Sequence, residues 1–143
     1  MTVKNLEYTV VSRIVTQLAY PTGTGNYNNS ISAGQVHSEF KDITEIHKFP
    51  ALTIGSVRIG GSGAFVRNSF EVPIEVEIFG YVKDQDDPMQ GALKLLSDVR
   101  VAITYDEWLN NNINGLGFSA EAGAMDGYGV ILFTLRGTME HRS

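Results

Sequence analysis

A chain of 143 residues with a formal net charge of -5 and a pI near 5.1 matches a single domain large enough for one core. Its 11 Lys and Arg residues are scattered, which excludes a protein that grips nucleic acid through its overall field. With no cysteine, a disulfide framework, a thiolate metal site and a Cys nucleophile are all excluded.

Residues 1–5 lack the basic and apolar blocks of a signal peptide, and no run approaches the roughly 20 apolar residues of a membrane span. The expectation is a soluble protein, folded where it is made, with no membrane partner. The 15 glycines and 10% aromatic content suit a sheet-containing domain with several tight turns.

The first periodic segment spans 5–20. Val10, Val11, Ile14, Val15 and Leu18 recur at helical spacing, with Thr9, Ser12, Arg13, Thr16 and Gln17 opposite. Pro21 and Gly23 end this helix, because proline disfavours helical geometry in the residue before it and cannot continue the ladder. Residues 22–34 are polar, glycine-rich and aperiodic, longer than most connections in compact domains and therefore either disordered or functional. In 37–48, Val36, Phe40, Ile43 and Ile46 leave a short helix and an extended arm both open.

After Phe49-Pro50 the run 51–54 alternates, and Val57 and Ile59 alternate in the opposite phase across Gly55, the mark of a β-bulge. Glycines at 60, 61 and 63 turn the chain into a long strand over 64–81. Phe70, Val72, Ile74, Val76 and Ile78 form one face of it, and Glu71, Glu75 and Glu77 the other. Pro73 within it predicts an edge position or an amide directed to solvent.

Asp87 as N-cap, Pro88 at the first helical position and Gln90 at the capping-box position open a second helix. Met89, Ala92, Leu93, Leu96, Val99 and Ile103 predict its buried stripe, and Lys94 and Asp98 an i,i+4 pair on the far side. Arg100 projects into that stripe and must snorkel, find a carboxylate or face another subunit. Residues 106–115 read as a polar stretch containing the single Trp108. A closing hairpin follows, 118–125 and 128–140 joined by Asp126-Gly127, a pair suited to a type I′ turn. Phe133, Leu135 and Met139 form one face of its second strand, and Thr134, Arg136 and Thr138 the other. The expected fold is α+β in the order α-β-β-α-β-β, an antiparallel, roughly four-stranded sheet with two helices on one face.

Catalytic patterns are missing from this layout. The acidic cluster at 83–87, with Asp84 and Asp86, suits a hard cation in oxygen chemistry but lacks the EF-hand glycine and terminal glutamate, and Asp87 is spent as a cap. His37, His47 and His141 share no metal-ligand spacing and read as surface histidines. Neither Gly-Lys-Ser/Thr nor Gly-x-Ser-x-Gly occurs. Glu71, Glu75 and Glu77 have no device to push their pKa values apart, so they read as a solvated face, a partner-facing surface or a channel lining that repels phosphate. Tyr20, Tyr27 and Trp108 beside asparagine-rich loops also admit a carbohydrate- or ligand-binding module. No cofactor is expected.

The sequence of elements, with Lys48-Phe49-Pro50-Ala51-Leu52-Thr53-Ile54 leading into a strand, the strand at 70–81, the Asp87-capped helix and the final hairpin, resembles the tail-terminator and tail-completion proteins of tailed bacteriophages. That resemblance implies a non-enzymatic subunit of a ring, usually a homohexamer, assembled in the host cytoplasm and placed in the virion at the head-proximal end of the tail. There it stops polymerisation of the tail tube protein, meets a neck or head-completion protein, and leaves an axial channel through which DNA passes as cargo. It carries tube-contacting roles to the loop at 22–34 and the turn at 60–63. Candidate interface residues are Tyr27, Asn28, Gly60, Gly61, Arg100 and Trp108, with Glu71, Glu75 and Glu77 as the candidate channel- or partner-facing stripe. A neck or head-completion ring is the neighbouring alternative.

Overall fold

The computed structural model describes residues 6–60, 65–66 and 69–142, with the backbone alone at 6, 65–66, 69–71 and 140–142. Three helices, α1 (Leu6–Leu18), α2 (Pro88–Thr104) and α3 (Glu107–Asn112), accompany six strands: β1 (Val36–His37), β2 (Ala51–Ile59), β3 (Phe65–Val66), β4 (Ser69–Lys83), β5 (Ile113–Met125) and β6 (Tyr128–Arg142). The class is α+β. The sheet is ordered β1-β2-β4-β6-β5, with the two-residue β3 pairing the start of β4.

The sheet is therefore larger than the expected four strands, and mixed rather than wholly antiparallel. β2, β4, β6 and β5 alternate in direction as the sequence pattern requires, but β1 adds in parallel through Val36 opposite Leu52 and His37 opposite Thr53. A two-residue strand is too short to carry a period. Its place is set instead by Gln35, whose amide donates to the Pro50 carbonyl at 2.8 Å and accepts from Ser32.

The inner face of the sheet carries Ile74, Val76 and Ile78 of β4 and Ile131, Phe133, Leu135 and Met139 of β6. These bury against Val10, Ile14 and Leu18 of α1 and Ala92, Leu95, Val99 and Ile103 of α2 in one apolar core. Alternation along the strands and a 3.6-residue stripe along α1 thus meet as their periods predict. The β2 bulge falls between Ile54 and Val57. Gly55 is needed there, because a Cβ would run into the Phe79 ring. Asp126 and Gly127 both have positive φ, 48° and 84°, as a type I′ turn demands.

Pro73 lies in a central strand, not at an edge. Its carbonyl accepts from Gly60 N–H at 2.7 Å. In an antiparallel pair the N–H and C=O of one residue face the same neighbour, so the missing donor falls where β2 ends at Ile59.

The far side of the sheet is partly covered by the segment before β2. It crosses as a 3-10 turn at Ile43–Glu45, and Ile46, Ala51 and Tyr81 form a second small core with Ile43, Phe49, Phe79 and Val130. Phe40 meets Phe79 edge-on at 5.4 Å, and Tyr81 Oη donates to the Lys41 carbonyl at 3.0 Å. Burial, then the charges of Asp42 and Glu45, push the Tyr81 phenol above its ordinary range.

Two helical expectations are corrected. In α2 the buried face is Ala92, Leu95, Asp98, Val99, Ala102 and Ile103, while Met89 and Leu93 are exposed and Leu96 is half-buried. Leu93, Leu95 and Leu96 make several phases equally apolar. The close approach of β6 chooses among them, since a Cβ at Gly129 would lie 2.5 Å from the Pro88 carbonyl and 2.7 Å from the Ala92 nitrogen. The polar stretch at 106–115 contains α3, because Asp106 caps it by accepting from Leu109 N–H at 3.2 Å.

Candidate assembly surfaces

The long loop after α1 is ordered by one buried carboxylate. Asp98 Oδ1 accepts from Asn28 N–H at 2.7 Å and from Asn28 Nδ2 at 3.4 Å, while Oδ2 accepts from Asn29 N–H at 2.9 Å and Nδ2 at 2.8 Å. Asp98 has no accessible surface. The expected Lys94–Asp98 pair is thus replaced: the loop lies over this side of α2, the carboxylate turns into it, and Lys94 contributes its carbonyl to Asn28 Nδ2 at 3.3 Å. Tyr27 is half-buried beside this contact. Burial, then the Asp98 charge, raise its phenol pKa.

A second carboxylate ties the helices together. Asp106 takes Nε of Arg13 at 3.1 Å on both oxygens, Nη2 of Arg13 at 2.7 Å and the amide of Gln17, in addition to capping α3. Burial pushes the Asp106 carboxyl up, but hydrogen bonds from Arg13, Gln17 and Leu109 with the Arg13 charge outweigh it and hold the group below its usual range. Trp108, in the first turn of α3, is half-buried against the core.

The outer face of the sheet carries a row of charge of both signs. Glu75 of β4 stands opposite Arg58 of β2 and Arg136 of β6, and Glu77 approaches Arg58 at 3.7 Å. Arg136 Nη2 donates to Ser119 Oγ at 2.8 Å. Glu75 and Glu77 are half-buried and flanked by arginines, so this face is not the purely acidic stripe that β4 suggests when read alone. Glu71 has only its backbone described. A cavity of about 580 Å³ opens here, lined by Arg58, Gly60, Glu75, Asn114, Arg136 and Thr138 among others.

The expected site residues therefore separate. Tyr27, Asn28, Arg100 and Trp108 belong to the helical side, and Gly60, Glu75 and Glu77 to the opposite face. Gly61 lies outside the described residues, as does most of the turn at 60–63. Arg100 is exposed, on the α2 flank that also bears Met89 and Leu93, so it never enters the buried stripe. Sequence reasoning gave Asp98 only a surface pairing with Lys94 and gave Asp106 no role of its own. Asp98 sits three residues after Leu95 and one before Val99, at an apolar position of the helical repeat, and Asp106-Glu107 before Leu109 is an N-terminal signature.

In the acidic turn, Asp84 Oδ1 accepts from Asp86 N–H at 3.2 Å and Asp87 N–H at 3.0 Å, and Asp87 Oδ1 accepts from Gln90 N–H at 3.1 Å. Two of the carboxylates are thus engaged with backbone amides. Among the described residues no group of three or more His, Cys, Asp or Glu side chains is placed to hold a metal ion. Among the same residues no helix is long and apolar enough to cross a membrane.

Neither a scan against protein-family models nor a search of curated proteins finds a match to this chain.

Proposed function

We propose that the chain is a structural, ring-forming subunit of the phage tail-terminator type, acting by shape and not by chemistry. The observation that carries this reading is β5. Among the described residues its 13-residue span, Ile113–Met125, pairs with β6 alone, apart from a bulge at Gly115 and Leu116, and it includes no Lys or Pro and one charge, Glu121. Monomeric proteins blunt such edges with lysine, proline, a β-bulge or a covering element, because a free row of N–H and C=O groups recruits another chain; the β5 bulge lies near its start, and Gly117–Met125 pairs regularly with β6 beyond it. Exposed Tyr8, Leu93 and Tyr105 add apolar area. The ligand-binding alternative loses support from the loop geometry, since the side-chain amides of Asn28 and Asn29, after Tyr27, are spent on Asp98.

In this reading the ring, a hexamer in the family it resembles, caps the tail tube, and the partners are further copies of the chain, the tube protein and a neck or head-completion protein. Native mass spectrometry on the purified protein is expected to give a closed oligomer, and added tail tubes are expected to bind it and stop growing. A strict monomer that leaves tube length unchanged overturns the reading. Binding to a portal adaptor but not to tubes reassigns the ring to the neck. Changing Glu75 and Glu77 together to glutamine is expected to leave folding intact, so a DNA-passage defect in that variant would assign the outer face to the channel.

A further inference from the structure

Among the described residues the two longest open stretches of edge lie toward opposite ends of the strand order. One is β5. The other is the end of β2, which β1 covers only at Leu52 and Thr53. Residues 51–54 are buried and 57–60 are exposed. Val57 is 39% exposed and Ile59 45%, although they stand opposite the core residues Val76 and Ile74. On β5, Phe118 stands opposite the core residue Leu135 and stacks on Phe133 at 4.8 Å, yet is 41% exposed. Both edges thus present apolar side chains on the core-facing side of the sheet that are only partly covered within the subunit.

We infer that β5 of one subunit adds to the 57–60 end of β2 in a second copy, with Glu121 opposite Arg58, an inference that rests on the ring assembly proposed for the chain. Direction comes first. β2, β4, β6 and β5 alternate, so the first and last run opposite ways, and a second copy continuing the sheet in the same orientation brings its β2 antiparallel to β5.

Register and face agree with this. Arg58 shares the outer face with Glu75, and Glu121 lies on that face opposite Leu132. With Arg58 opposite Glu121 in antiparallel register, Val57 falls opposite Ala122 and Ile59 opposite Ala120. Ala122 and Ala120 themselves stand opposite the core residues Ile131 and Phe133. One register therefore pairs the charges and covers both apolar residues, whereas a one-residue slip would send each side chain to the wrong face. The Arg58 side chain is 70% exposed, and its 3.7 Å approach to Glu77 leaves most of its donors free for a partner. Among the described residues Glu121 has no ion pair. Joining two different edges is a heterologous contact, the kind that generates a ring when the rotation between successive copies closes.

The absence of cysteine makes the test direct. Directly opposite residues of an antiparallel pair have Cα atoms about 4.5–5.5 Å apart, within disulfide reach. The double variant Arg58→Cys/Glu121→Cys is expected to give a ladder of covalent multimers on a non-reducing gel, ending at the ring species, with each single variant giving dimers at most. Native mass spectrometry of the unmodified protein reads the ring separately. A ring without the ladder overturns the edge pairing and leaves the ring reading standing, whereas a monomer without the ladder overturns both. Arg58→Glu is expected to raise the concentration needed for assembly about fivefold, from the loss of one cross-strand charge pair. Adding Glu121→Arg is expected to restore it, and a double variant as defective as the single one counts against the pairing.

Discussion

Arg13 and Asp106 are 93 residues apart in the chain, and Nη2 of the first lies 2.7 Å from Oδ1 of the second. The pair joins the middle of α1 to the N-cap of α3. Because Asp106 also accepts from Leu109 N–H, one carboxylate fixes both the packing of α1 and the start of the helix that leads into β5.

Asp106→Ala removes a cap and a charge-assisted contact together, and is expected to cost about 2–3 kcal/mol in urea unfolding. The pH dependence follows from the lowered pKa. A carboxylate whose folded pKa lies below its unfolded value of about 3.9 contributes stability above that value and loses it as pH falls through the folded pKa. The stability gap between the natural protein and Asp106→Asn should therefore be full at neutral pH and close below about pH 4. Urea midpoints measured from pH 7 downward check this, and a gap that stays constant into strong acid would show that the charge is not its source.

Asp98 makes a different prediction, because its four contacts come from amides and not from a cation. Asp98→Ala leaves two backbone N–H groups facing a buried gap and is expected to cost about 3 kcal/mol, part of it recovered if the loop opens to water. Hydrogen exchange at the Asn28 and Asn29 amides should accelerate strongly. Asn29→Ala keeps the backbone donors and should cost less, with exchange at Asn28 close to that of the natural protein.

These two carboxylates also mark the boundary of what the sequence discloses. α1, the Asp87 cap, the β2 bulge, the long β4 and the Asp126-Gly127 hairpin are local patterns, set by period and turn chemistry within a few residues. β1, the 3-10 turn at Ile43–Glu45 and the latch of Asn28 and Asn29 onto Asp98 depend on partners far along the chain, which no window contains. The acidic stripe was visible, but its arginines were not. Arg58 and Arg136 lie on other strands and reach Glu75 only through the register of β2 and β6. The expected interface residues likewise appear as separate loop and helix positions, and only the fold divides them between two faces.

The rotation of α2 is open to direct measurement. Leu95 is fully buried and Leu93 is 54% exposed, although the two are identical in type and two residues apart. Leu95→Ala should destabilise by about 3 kcal/mol through lost burial and the cavity left behind. Leu93→Ala should change stability by no more than about 0.5 kcal/mol. Reversed magnitudes would restore the stripe through Met89 and Leu93 expected from the sequence. A loss of assembly in Leu93→Ala without loss of stability would assign the exposed flank of α2 to an interface.

What holds that rotation is the backbone of β6, and Gly129 is where it can be tested. It is buried against the first turn of α2, and any Cβ there would sit 2.5 Å from the Pro88 carbonyl and 2.7 Å from the Ala92 nitrogen. Both obstacles are backbone, so neither can swing aside, and the helix must move off the sheet to admit a methyl group. Gly129→Ala is expected to cost about 2–3 kcal/mol, in the range of overpacked cores, and to weaken packing around Ala92 and Leu95. Gly123, on the neighbouring β5, has nothing within 4 Å of an added Cβ. Gly123→Ala should therefore leave thermal stability unchanged or slightly raised, since alanine restricts the unfolded chain more than glycine does. Equal losses in the two variants would trace the effect to glycine's backbone freedom. A loss confined to Gly129→Ala would trace it to the strand–helix contact that sets which leucines of α2 face the core.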